Sequence, residues 1–175
     1  MVEEKPEVVV IIAAGTGSRL KSDEGPPKPL LQLNGRALVL RVLDKFYSAG
    51  IKEAIIVTGY RADEVKAGIG REKHPMDITF VINSNYLKSN GLSVLAAREL
   101  IGERSFFLSM ADHIFDESLI TGLAGAPIPN GGLVLAVDRK LDQIYDEDDA
   151  TKVATDNGKI IEIHKELGTF DAVDT

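Results

Sequence analysis

A run of β-branched residues near the start, Val8-Val9-Val10-Ile11-Ile12, limits this chain to a narrow set of folds. An unbroken apolar run with no polar alternation is the pattern of a strand buried on both faces. The residues after it, Ala13-Ala14-Gly15-Thr16-Gly17-Ser18, are too small to fill space, and a turn made of them lets backbone N–H groups come close to an anion. Two cations follow, Arg19 and Lys28, the second between Pro27 and Pro29. Pro29 disfavours the α region for the residue before it, which predicts an extended backbone at Lys28. The stretch from Val8 to Leu30 thus reads as a phosphate-handling loop. It is not a P-loop, because no Lys follows Gly17, and it is not a dinucleotide fingerprint, because Leu20 stands where the third glycine belongs.

The segments that follow predict where this loop sits. Asn34-Gly35 is a tight turn, and Arg36 to Gly50 carries Val39, Val42, Leu43 and Phe46 at helical spacing with Gly50 as its stop. Ala54 to Thr58 is a second buried strand ending in Gly59-Tyr60, followed by a short helix from Ala62 to Ile69 and a third strand from Ile78 to Ile82. Such alternation predicts a parallel sheet covered on both faces, with ligands at the carboxyl ends of its strands. The Gly15 loop, Gly59-Tyr60 and Asn83-Ser84 all fall at such ends. A further helix is expected from Gly91 to Leu100, with Asn90 as its N-cap, or with Asn90 and Ser93 facing an anionic ligand from the helix N-terminus.

Ser105 to Met110 reads as the fourth strand and runs into Ala111-Asp112-His113. A carboxylate there is suitably placed for a divalent cation beside bound phosphates. His113 reads either as a packing residue, the favoured reading, or as a contact to a phosphate or a metal-bound water. Asp116 to Ala124 is a short helix and Leu133 to Val137 a strand. The acidic run Asp142 to Asp149 around Tyr145 reads as solvated surface, with a mobile lid near the acceptor or a second metal site as the alternative. Asp156-Asn157-Gly158 between Thr151 to Thr155 and Lys159 to His164 is a hairpin signal.

Bulk properties narrow the function. With 175 residues and 44% hydrophobic content, the chain reads as one domain, residues 1–175, with a sizeable core. The formal charge of −7 argues against a general nucleic-acid binder, whereas an enzyme for small phosphates needs only a local basic cluster. No apolar run has membrane-spanning length, the first residues do not resemble a secretion signal, and there is no cysteine. A cytoplasmic protein is the expectation.

The segment Ala13 to Arg19 and the triplet Lys28-Pro29-Leu30 resemble the A-A-G-x-G-S-R and K-P-L signature of nucleotidyltransferases that activate small phosphorylated molecules. The resemblance implies an α/β fold of the nucleotide-diphospho-sugar-transferase type: a three-layer, Rossmann-like, mixed but mostly parallel sheet, helices on both faces, and a β-hairpin over the acceptor site. It implies nucleotide contacts from Ala13, Ala14, Gly15, Thr16, Gly17, Ser18, Gly59, Asn83, Asn90 and Ser93. Arg19 would meet the β- and γ-phosphates, Lys28 the α-phosphate, and Asp112 a Mg²⁺ ion. Asp174 is a second metal candidate, and Lys152 and Lys165 are candidates for the acceptor phosphate. Ile114 departs from the Asp-x-Asp of glycosyltransferases, and His164-Lys165-Glu166 departs from the Glu-Lys-Pro of the sugar-nucleotide branch.

Across nearly the whole chain the resemblance is to the inositol-1-phosphate cytidylyltransferase family, which implies CTP and a small phosphorylated alcohol as substrates. In that family the domain is often fused to a membrane synthase, and the core normally continues past Thr175, so the expectation is of a domain incomplete at its C-terminus. Phosphocholine is the rival acceptor, which would need an aromatic cage that Tyr86, Tyr145 and Phe170 could contribute to. Sugar-1-phosphate transfer and a nucleotide-binding regulatory domain without turnover stay open. The sequence does not set the oligomeric state; a homodimer is compatible with it.

Overall fold

The computed structural model describes residues 5–17, 25–129, 131–144 and 146–174. They form two compact units, Met1–Gly125 and Ala126–Thr175.

The first unit is built on a four-stranded parallel sheet. Its elements in chain order are β1 (Val8–Ala13), β2 (Gln32–Leu33), β3 (Arg36–Ala37), α1 (Leu38–Ser48), β4 (Glu53–Thr58), α2 (Ala62–Gly70), β5 (Asp77–Ile82), α3 (Asn90–Ala96), α4 (Arg98–Ile101), β6 (Phe107–Met110) and α5 (Glu117–Gly125). The sheet order is β5-β4-β1-β6, with Val10 opposite Ile55 on one side and Leu108 on the other. Every residue of β1 is buried. Its two faces meet different partners. Val9 and Ile11, with Ala54, Ile56 and Phe107, join the apolar face of α1 (Val39, Val42, Leu43, Phe46), Val65 and Ile69 of α2 and Ile120 of α5. Val8 and Val10, with Ile55 and Val57, join Ala97 and Ile101. Each fully buried Val or Ile stabilises by about 1.5–3 kcal/mol relative to exposure, so the β-branched run is the mechanical centre of this unit.

Local chemistry explains most boundaries. Asn34 and Gly35 both have positive φ, 50° and 75°, the backbone a two-residue hairpin turn requires; they join β2 to β3, a short antiparallel pair that the sequence reading passed over. The helix expected from Gly91 to Leu100 is broken into α3 and α4 at Ala97. Asn90 is the first residue of α3, and Ser89 occupies the cap position without a side-chain cap bond, so the N-cap expectation for Asn90 is corrected by one residue. Lys28 is also corrected: instead of extended backbone, Lys28–Leu30 is a 3-10 turn. Its closing bond runs from the Leu30 N–H to the Pro27 carbonyl at 2.8 Å. The missing N–H of Pro29 is therefore not needed.

The second unit holds an antiparallel sheet, order β7-β10-β8-β9, from β7 (Val137–Asp138), β8 (Lys152–Asp156), β9 (Lys159–His164) and β10 (Ala172–Asp174). The expected hairpin is β8–β9, with Asn157 and Gly158 at φ 48° and 76°. Of the strand expected over Leu133 to Val137 only Val137 is in one, together with Asp138 as β7, and β10, too short to carry a periodicity, was not foreseen.

Candidate active site

Four loops leave the carboxyl ends of the parallel strands: residues 14–17 after β1, 59–61 after β4, 83–89 after β5 and 111–116 after β6. The chain passes from β1 to β4 and β5 on one side, then returns to β6 on the other. The crevice between β1 and β6 is thus a topological switch point, the usual place for a ligand in an open α/β sheet. Lys28 and Asp112 come together at this end of the sheet as an ion pair, with 39% and 24% of their side chains exposed. Both are within reach of a solute.

Each partner is held by the fold around it. The Ala111 N–H donates to the Ile12 carbonyl at 3.0 Å, which carries the β1–β6 ladder one residue past β6 and leaves Asp112 as the first residue off the sheet. On the other side, Pro29 is buried and Leu30 packs on α2 at Gly68, where an added Cβ would fall 2.4 Å from Leu30 Cδ1. Gly17, at φ 65°, lies against the Lys28 stem; an added Cβ there would stand 3.2 Å from Lys28 Cβ.

The other expected nucleotide contacts divide into two kinds. Gly15 and Thr16 are exposed, while Ala13 and Ala14 are buried. Gly59 has a packing requirement of its own: an added Cβ would fall 2.4 Å from Tyr86 Cβ and 2.9 Å from the Ala14 carbonyl oxygen. Asn83 and Ser93 are both buried and are bonded to each other, Asn83 Nδ2–H donating to Ser93 Oγ at 2.9 Å. Asn83 Oδ1 accepts the Asn85 N–H at 2.8 Å, so this pair ties the loop after β5 to α3. Asn90 is exposed. Ser18 and Arg19 lie outside the described residues, as does Tyr145.

Among the described residues, no group of three or more His, Cys, Asp or Glu forms a metal-binding cluster. Asp112 offers one half-buried carboxylate. That fits Mg²⁺, which keeps several waters and takes one or two carboxylates plus substrate phosphates.

In the second unit the lysine candidates are engaged by the acidic run. Lys165 Nζ donates to Asp149 Oδ1 at 2.7 Å. Lys152, 13% exposed, has its Nζ 3.8 Å from Glu147 and 5.3 Å from the Phe170 ring centre. The run is therefore partly paired rather than simply solvated. Asp174 is exposed and its N–H bonds the Thr151 carbonyl at 2.9 Å.

Three groups escaped the sequence reading. Asp171 accepts from Thr155 Oγ1–H at 2.6 Å, from the Thr155 N–H at 2.7 Å, and from Arg139. Those bonds hold its carboxyl down at about 2, the Thr155 hydroxyl contributing most. Arg36 is forked onto Asp44 at 2.9 and 2.7 Å, with His74 Nε2 also on Asp44 at 3.2 Å. Arg61 reaches the Gly25 carbonyl. The partners in these sets are 16 to 36 positions apart, except for the 8 between Arg36 and Asp44; no local pattern marks them.

With the geometry in place, comparison with known proteins decides the family. A model of the MobA-like NTP transferase domain matches residues 9–146. The chain belongs to the MobA-like NTP transferase family. This NTP transferase domain is 34% identical over 166 residues to the bifunctional IPC transferase and DIPP synthase of Rubrobacter xylanophilus, covering 94% of this chain and 36% of that one. It is also 34% identical over 166 residues to the protein of the same description from Archaeoglobus fulgidus, covering 95% and 31%. The chain thus spans about a third of the length of these curated relatives. The solved inositol-1-phosphate CTP transferase from T. maritima superposes with a TM-score of 0.84 at 23% identity, over 99% of this chain and 69% of that one; this is a likeness of fold. The expected nucleotide-diphospho-sugar-transferase-type architecture is thereby borne out, with the described strands of the main sheet all parallel and the antiparallel pairs confined to β2–β3 and the second unit. No helix among the described residues is long and apolar enough to cross a membrane.

Proposed function

We propose that this chain is a cytidylyltransferase that transfers CMP from CTP to inositol-1-phosphate, releasing pyrophosphate. The observation that carries the reading is the meeting of Lys28 and Asp112 at the switch point of a sheet whose family transfers nucleotides. The choice of CTP and inositol-1-phosphate leans on the relatives described as IPC transferases.

A phosphate monoester is already an anionic nucleophile near neutral pH. Its oxygen attacks the α-phosphorus of CTP in line, the new P–O bond forms, and the bond to the bridging oxygen of pyrophosphate breaks. No general base is required, so catalysis is positioning and charge stabilisation. In this reading the Lys28 ammonium neutralises charge growing on the α-phosphate, and backbone N–H groups around Gly15 to Gly17 receive the triphosphate. Arg19 serves the β- and γ-phosphates. Asp112 would hold Mg²⁺, which supplies charge neutralisation on the triphosphate when bound. Ala13, Ala14, Thr16 and Ser18 shape the nucleotide loop, and Asn90 is an accessible polar contact. Gly59, Asn83 and Ser93 complete the nucleotide side of the site, and the bond between Asn83 and Ser93 also ties their loops together. In the second unit, Lys152 and Lys165 are the cations proposed for the acceptor phosphate, which would replace their present carboxylate partners.

The test is pyrophosphate release with Mg²⁺, crossing CTP, UTP, GTP and ATP with inositol-1-phosphate, phosphocholine and glucose-1-phosphate. Turnover confined to CTP and inositol-1-phosphate supports the reading. Turnover with CTP and phosphocholine overturns the acceptor and keeps the mechanism. CTP binding without turnover of any pair overturns the catalytic reading in favour of a regulatory nucleotide-binding domain.

A further inference from the structure

The turn after β4 grips both described ends of the segment that carries the phosphate-binding candidates. At the near end, the Tyr60 N–H donates to the Ala14 carbonyl at 3.0 Å, and Gly59 leaves no space between that carbonyl and Tyr86. At the far end, Arg61 Nη1–H donates to the Gly25 carbonyl at 2.7 Å. Gly25 leads directly into Pro26-Pro27-Lys28, where the two prolines have fixed φ and transmit position with little slack.

The guanidinium is aimed by a second contact. Its Nε–H and Nη2–H form a fork onto the Glu64 carboxylate at 2.7 and 2.8 Å, which leaves Nη1 directed at Gly25. The backbone of Arg61 is itself left-handed, φ 50° and ψ 41°. A non-glycine residue holds that conformation at a cost and only where its surroundings over-determine it. Glycine would be relaxed there; Arg61 is held instead by its carbonyl, which accepts the Glu64 and Val65 N–H groups at 3.1 Å each, and by its side-chain bonds to Gly25 and Glu64.

We propose that Arg61 is a positioning residue for Lys28: through the Gly25 carbonyl and the two prolines it sets where the lysine ammonium stands at the end of the sheet. Its kinetic consequence rests on the nucleotidyl-transfer reading above; its effect on the position of Lys28 does not.

The first readout is therefore ligand-free. In protein with labelled lysine, the Lys28 side-chain ¹³Cε resonance reports its ion pair with Asp112. Arg61→Gly keeps the left-handed backbone unstrained and removes the bond to Gly25; it should shift that resonance while leaving the melting temperature unchanged or higher. Arg61→Lys should restore part of the shift. Glu64→Gln, which leaves Arg61 and its backbone in place, should give a smaller shift in the same direction. The second readout is turnover. Arg61→Gly should lower kcat by about tenfold, the scale of losing one charge-assisted bond, but by less than about twofold in a Lys28→Met background, because a residue that acts through Lys28 has nothing left to position. A Lys28 resonance that does not move in Arg61→Gly or Glu64→Gln overturns the proposal. So does an equal loss of kcat in both backgrounds. A moved resonance in a protein that shows no turnover of any substrate leaves the positioning role standing and overturns the catalytic reading alone.

Discussion

Replacing Lys28 by methionine should separate activity from stability. Methionine keeps an unbranched stem against Gly17, where the contact is with the Lys28 methylenes, and removes only the ammonium. The stability cost follows from exposure. Lys28 and Asp112 are 39% and 24% exposed, and ion pairs that water reaches to this extent are worth about 0–1 kcal/mol. Solvent can also rehydrate the Asp112 carboxylate once its partner is gone, so no buried charge is stranded. The catalytic cost is larger. Losing one donor to the charge developing in the transition state lowers turnover by about 10²–10³, or about 2.7–4 kcal/mol. The expected result is a urea midpoint followed by circular dichroism that hardly moves, together with pyrophosphate release down by at least two orders of magnitude. Near-wild-type turnover would refute the role of Lys28. A stability loss as large as the activity loss would show that the lysine acts through the fold. The reciprocal change, Asp112→Asn, should leave the fold intact and move turnover to higher Mg²⁺; an unchanged Mg²⁺ dependence places the metal ligand elsewhere.

Two further outcomes follow from packing and titration. Gly59→Ala should destabilise by about 1–3 kcal/mol, the cost of overpacking, because the new methyl meets Tyr86 Cβ and the Ala14 carbonyl oxygen, neither of which is the end of a flexible side chain; a urea midpoint equal to wild type would show that the two loops yield freely. Asp171 has a folded-state pKa of about 2 against an ordinary 3.8. A depressed carboxyl contributes stability above its unfolded value and loses it as pH falls through the folded one, so this contribution should fade between 3.8 and about 2. Asp171→Asn should flatten that part of the acid limb, and an identical acid limb in the variant would sink the assignment.

The main sheet was legible because its signals are local. The β-branched run from Val8, the helical spacing of Val39, Val42, Leu43 and Phe46, and the Asn34-Gly35 and Asn157-Gly158 turns each act within a few residues, and each marks an element at or near its observed bounds. The family signature worked for the same reason: Gly15, Gly17 and Lys28 stand within one short stretch of the sequence. Where local rules compete, the outcome was not legible. Pro29 argued for an extended Lys28, yet burial of Pro29 and the seat for Leu30 on Gly68 drew the segment into a 3-10 turn. The bond between Asn83, at the end of β5, and Ser93, in the first turn of α3, was likewise not legible, because nothing in the sequence says which side chains of the two segments meet.

What the sequence by itself determined is therefore the strands and helices of the main sheet, with few exceptions, and the family to which the chain belongs. Only the tertiary structure decided which groups face one another. Lys28 meets Asp112 because β6 returns to lie beside β1 in a set register, and Arg61 holds Gly25 because α2 begins where that segment ends. Such encounters depend on strand order and close packing, which are settled by burying the whole core at once, and no spacing along the chain records them.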